Sequence, residues 1–155
     1  MKNLTLFRHA KTERDSTTGR DFDRQLAERG ERDAARIGDE VRRLGLEYDV
    51  VLSSPAVRAA QTAELAGFAP RFDERIYDAS SAELLAVVKE NGAGAGRLLM
   101  VGHNPGLERL ASQMIGKEIE MPTGSLVEIA LSGDWRDAKL GGGQLVRFIK
   151  PKELD

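Results

Sequence analysis

Three short apolar runs, Leu4 to Phe7, Val50 to Leu52 and Leu98 to Val101, each stop at polar or turn-forming residues. Runs of this length, apolar throughout rather than alternating, are what strands covered on both faces require, as in a parallel sheet. Between the first two, Ala34, Ile37, Val41 and Leu44 fall on one stripe of an amphipathic helix, with Gly45 in the region that closes it. After the second run, Ser54 is placed to cap and Pro55 to lead a helix through about Leu65. After the third, Asn104 and Pro105 repeat the arrangement toward Ile115. A capping box, Ser80-x-x-Glu83, opens another helix along Leu84, Leu85 and Val88, and Gly92 to Gly96 links it to the third strand. Leu126 to Leu131 and Leu145 to Ile149 are further sheet strands, separated by a turn at Gly141-Gly142-Gly143 and open to an antiparallel arrangement. Strands alternating with helices predict a three-layer α/β/α sandwich with a mostly parallel sheet, its ligand site outside the carboxyl ends of the strands.

The 155 residues fit one domain, 1–155, large enough to bury a core without disulfides or metals. No linker, repeat or low-complexity tract interrupts them, and the one long polar loop, Thr12 to Asp23, either borders the site or moves freely. Lys and Arg number 23 against 25 Asp and Glu, so there is no global basic field for nucleic acid. Cysteine is absent, which excludes thiol nucleophiles and cysteine-based metal sites. The N-terminal apolar run is too short for a secretory signal, and no segment approaches a membrane span. A cytoplasmic monomer with no nucleic-acid or membrane partner is the expectation.

The chain has two histidines, His9 and His103, each at the end of one of the three clearest strands, so both should face one rim. Arg8 adjoins the first, and Arg58 sits in the first turn expected after Ser54-Pro55. Guanidinium forks and helix N-termini suit a dianionic phosphoryl group. An imidazole is a competent nucleophile near neutrality. His9 is the candidate nucleophile, because an adjacent arginine both holds phosphate and favours the neutral ring. His103 would bind the phosphoryl oxygens and stabilise the transition state electrostatically.

Leu6-Phe7-Arg8-His9-Ala10 resembles the Arg-His signature of the histidine phosphatase superfamily, with Ala10 where glycine is usual. Ser53-Ser54-Pro55-x-x-Arg58-Ala59-x-Gln61-Thr62-Ala63 resembles its second phosphate-binding segment, and Val101-Gly102-His103-Asn104-Pro105 its second-histidine segment. Short length and Asp21-Phe22-Asp23-Arg24-Gln25-Leu26 with Gly30 look most like the SixA-type phosphohistidine phosphatases. The resemblance implies a phosphoglycerate-mutase-like fold, no cofactor and no metal. It also implies two steps, in which His9 takes the phosphoryl group and water removes it. Larger members place an acidic donor between the second arginine and second histidine. Here the matching segment is Asp73-Glu74-Arg75-Ile76-Tyr77-Asp78, which puts Asp78 in that role with Glu74 behind it.

Protonated phosphoramidate nitrogen leaves more readily than alkoxide, so a weak donor would favour phosphohistidine. The substrate expected is a phosphorylated protein such as a histidine-containing phosphotransfer domain. The alternatives are a small sugar or nucleotide phosphate and a non-catalytic phosphate-binding module. Two histidines without clustered carboxylates fall short of common metal sites, and no Gly-x-x-x-x-Gly-Lys run signals a P-loop. Arg20, Asp23 and Arg24 read as a solvated loop, Gln61 and Thr62 as helix packing, Trp135 as cover for a core edge, and Ser53 and Ser54 as capping residues.

Overall fold

The structure is a computed structural model that describes residues 2–154. Six strands form one sheet: β1 (Lys2–Arg8), β2 (Val50–Ser53), β3 (Arg71–Phe72), β4 (Arg97–Gly102), β5 (Leu126–Leu131) and β6 (Gly143–Ile149). Their order across the sheet is β3-β2-β4-β1-β5-β6. The pairs β2–β3, β2–β4 and β1–β4 are parallel, whereas β5 runs antiparallel to both β1 and β6. The expected mostly parallel sheet with an antiparallel C-terminal pair is therefore present.

Side chains along the central strands alternate between two cores, as the pleat dictates. Leu4, Leu6, Leu98 and Met100 face one side, with Leu84, Val87 and Val88 of α3 (Ser81–Asn91) and Leu107, Leu110 and Met114 of α4 (Gly106–Ile115). Phe7, Leu99 and Val101 face the other, with Ile37 and Val41 of α1 (Glu28–Arg43) and Ala59 and Ala63 of α2 (Val57–Leu65). Two helices on each face make the three layers. Because both faces are covered, the strands lack polar alternation, which is why they read as continuous apolar runs.

Two helix starts differ from expectation. α2 begins at Val57 with Ala56 as its N-cap and no side-chain cap, so neither Ser54 nor Pro55 holds the position expected. α4 begins at Gly106 with Pro105 as N-cap, although the Asn104 Oδ1 still accepts the Glu108 N–H at 3.2 Å. The Ser80–Glu83 capping box is formed as expected. Gly45, at φ 70°, follows the end of α1. Trp135 is buried in the larger core cluster and donates its indole N–H to the Ala95 carbonyl at 2.7 Å.

α1 lies so close to the end of α2 that a Cβ built on Gly38 would stand 2.3 Å from the Ala66 carbonyl oxygen. Only glycine permits that approach. No helix among the described residues is long and apolar enough to cross a membrane.

Candidate active site

Register places the two histidines together. β1 and β4 are adjacent and parallel, with Arg8 opposite Gly102, so the next residue of each strand is a histidine. The His9 N–H donates to the Gly102 carbonyl at 3.0 Å, and the rings lie 5.2 Å apart. On the other side of β4, β2 ends with Ser53 opposite Val101, and the Ser54 N–H donates to the Val101 carbonyl at 3.0 Å. Ser54, His103 and His9 thus stand in a row at the carboxyl edge. From there β1 leads into α1 on one face and β4 into α4 on the other. This divergence of connections opens a crevice at a topological switch point.

His9 is 8% exposed, and its Nδ1 lies 2.8 Å from the carbonyl oxygen of Ala10. A carbonyl only accepts, so Nδ1 carries the proton and the lone pair is on Nε2. Burial, followed by the positive charges of Arg58, Arg8 and Arg24, outweighs that hydrogen bond and lowers the ring's pKa to about 4. Burial lowers His103 to about 3, with neighbouring His9 and Arg58 adding to the effect. Both rings are therefore neutral at pH 7, and His9 presents an unprotonated Nε2.

Behind His9, Thr62 of α2 fixes the loop. Its hydroxyl donates to the Arg58 carbonyl at 2.7 Å and accepts the Ala10 N–H at 3.0 Å. His103 places Nε2 2.8 Å from the Ser54 hydroxyl and leaves Nδ1 buried without a partner.

Arg58 is 7% exposed and projects from the first turn of α2, as expected. Its Nη1 donates to the Asp21 carbonyl at 2.8 Å and its Nη2 to the Asp21 carboxylate at 2.9 Å. The Tyr77 hydroxyl donates to the same carboxylate at 2.8 Å, and the Tyr77 ring meets His103 edge-on at 5.6 Å. Burial pushes Asp21 up, but hydrogen bonds from Tyr77, Arg24 and Arg58 prevail and hold it at about 2. Arg8 donates through Nη1 to the Met121 carbonyl at 2.9 Å, which leaves its buried Nε without a partner. Beside it lies a cavity of about 690 Å³, lined also by Asn104, Glu108, Met121, Lys150 and Lys152.

Ring contacts and the Asp21–Tyr77 bridge connect three of the five expected residues, His9, Arg58 and His103, while Arg8 adjoins His9 in the chain and acts on both rings through its charge. Asp78 is exposed at φ 52° and forms no hydrogen bond, ion pair or ring contact with any of them among the described residues. Glu74 is likewise exposed, and it is Tyr77 of that segment that faces His103. The 12–23 loop borders the site, because Arg58 of α2 holds both the carbonyl and the carboxylate of Asp21, and Thr12 bridges to Leu26 at the loop's base. Arg20 and Asp23 fit the solvated reading, but Arg24 does not: it donates to Asp21, to the Glu13 carbonyl and to Thr12. Asp21, Tyr77 and Ser54 are the residues sequence reasoning overlooked. The Asp21-Phe22-Asp23-Arg24 segment was itself a signal, whereas nothing local marks Ser54 as a histidine's partner.

The chain belongs to the histidine phosphatase superfamily, whose branch 1 family model matches residues 4–81. An uncharacterized protein of Mycobacterium tuberculosis (strain ATCC 25618 / H37Rv) is 33% identical over 145 residues, spanning 85% of this chain and 92% of its own. Among solved structures, a protein of Nakamurella multipartitia assigned as phosphohistidine phosphatase SixA superposes with a TM-score of 0.87. It is 26% identical and covers 97% of this chain and 96% of its own. An Agrobacterium tumefaciens protein with the same assignment gives 0.83 at 27% identity, covering 97% and 98%. The sandwich is thus the phosphoglycerate-mutase-like fold, and within the superfamily the resemblance is to SixA.

Proposed function

We propose that this protein is a metal-independent phosphatase that removes phosphate from phosphohistidine on a protein by way of a covalent intermediate on His9. The observation that carries the reading is the Nδ1–H bond of a buried, neutral His9 to Ala10, which leaves Nε2 free to attack. In the first step the Nε2 lone pair forms a bond to phosphorus as the bond from phosphorus to the leaving nitrogen breaks. Arg8, Arg58 and His103 surround the equatorial oxygens and offset their charge. In the second step water attacks phosphorus, the bond to Nε2 breaks, and inorganic phosphate leaves with the enzyme ring again neutral.

Two observations support a phosphoramidate on a protein as the substrate. Among the described residues Asp78 makes no hydrogen bond, ion pair or ring contact with the cluster, and Asp21, which does, is held ionised by Tyr77, Arg24 and Arg58. Neither stands ready to protonate an alkoxide, and a protonated nitrogen leaves without such help. The two structural relatives at 26% and 27% identity are assigned to phosphohistidine phosphatases.

The test follows phosphate release from a phosphohistidine-bearing phosphotransfer domain and from a generic aryl phosphate. His9→Ala is expected to abolish release and acid-labile labelling of the protein, while Asp78→Asn keeps at least about a third of the parent rate on phosphohistidine. His9→Ala turning over as fast as the parent would overturn the nucleophile. Release from the aryl ester alone would move the substrate to small phosphomonoesters, and a strong loss in Asp78→Asn would restore the acid.

A further inference from the structure

The Ser54 hydroxyl is fully buried and has two neighbours: it accepts the Ala56 N–H at 3.2 Å and lies 2.8 Å from His103 Nε2. Either atom of the second pair can be the donor in principle, but the two choices are not equivalent. If Nε2–H donated, the serine oxygen would accept twice and its own proton would be left in the interior with no acceptor. A buried donor without a partner is costly. If the hydroxyl donates instead, both of its hydrogen bonds are made and the proton of the neutral ring resides on Nδ1. One buried atom then stays unpaired, against two in the alternative, the hydroxyl proton and the Nδ1 lone pair. That nitrogen is buried and has no protein partner.

We infer that Ser54 fixes the tautomer of His103, holding the ring proton on Nδ1 so that a neutral histidine donates a hydrogen bond to a phosphoryl oxygen. Ser54 acts through His103 and is a positioning residue. The backbone holds it for this task, because its N–H is tied to Val101 on the strand that ends in His103. The identity of the acceptor rests on the phosphatase reading above; the tautomer itself does not.

Selective 15N labelling of histidine gives two rings to observe, and a His103→Asn variant assigns them. At pH 7 without ligand, the parent is expected to show His103 with a protonated Nδ1 and an unprotonated Nε2, opposite to the usual preference of a free histidine side chain. Ser54→Ala should shift His103 toward the Nε2–H form and weaken inorganic phosphate binding by about tenfold to hundredfold, the usual worth of a hydrogen bond to a charged group. Ser54→Thr, which keeps the hydroxyl, should restore both. A parent ring protonated on Nε2, or a folded Ser54→Ala that keeps the tautomer and the phosphate affinity, would overturn the inference. A parent with the Nδ1–H pattern that binds no phosphate would remove the donor role and the phosphatase reading together, while leaving the Ser54 hydrogen bond standing.

Discussion

At the scale of single residues the site is set by burial and charge. His9 at about 4 and His103 at about 3 lie below the ordinary 6.5. Between those values the unfolded chain binds more protons than the folded one, so stability gained above pH 6.5 is lost as pH falls toward 4 and then 3. Each histidine can contribute at most about 1.4 kcal/mol of loss per pH unit in that window. Urea titrations from pH 7 to pH 4.5 should show a falling midpoint in the parent and a shallower fall in a His9→Asn, His103→Asn double variant. Equal slopes would place the titrating groups elsewhere.

Asp21 is the other residue whose charge matters, because its carboxylate occupies the Arg58 fork proposed to receive the phosphoryl group. Asp21→Asn removes a like-charge competitor from a partly exposed position. Inorganic phosphate should then bind about fivefold more tightly, toward the low end of the Coulomb range for such a pair, and the gain should shrink with salt. Weaker binding in this variant would instead make the carboxylate part of the phosphate site.

At the scale of elements, legibility followed how local each signal is. The strands at Leu4, Val50 and Leu98, the stripe of α1 and the Ser80–Glu83 box depend on neighbours in sequence, and each is where its residues indicate. β3 has only two residues and offers no periodicity to read. The start of α2 was misplaced because Ser54 has the chemistry of a cap but turns its hydroxyl to a histidine 49 residues away. The contact between Asp21 and Tyr77 is illegible for the same reason, because it spans 56 residues and no local pattern records the loop's path, even though the Asp21-Phe22-Asp23-Arg24 segment marks one partner. The packing of α1 on α2 is another long-range fact with a local signature, the glycine at position 38. Gly38→Ala would drive a methyl group into the Ala66 backbone, and overpacking of this kind costs about 1–3 kcal/mol. The expected result is a lower urea midpoint with an unchanged slope, whereas an unaltered midpoint would mean that the helices separate freely.

At the scale of the whole molecule, charge and packing are arranged around the sheet's two ends. Away from the site, Glu128 is 2% exposed on β5 and is met by Arg97 at 3.0 Å and Arg147 at 2.5 Å, tying β5 to β4 and β6. At the opposite end Arg58 is paired with the Asp21 carboxylate and Arg8 with the Met121 carbonyl. A buried carboxylate held by two half-exposed arginines and the arginines Arg8 and Arg58 thus share the sheet without sharing residues.

The pairing of Arg8 with Gly102 has one more consequence. Because main-chain ladder bonds, rather than adjustable side chains, set the distance between the histidines, a slip of one residue between β1 and β4 would turn one ring to the other face of the sheet. The proposed catalytic centre is then either assembled or absent within each molecule. On the proposed function, specific activity would count the molecules whose central strands are in register and be blind to fraying at the short outer strand β3.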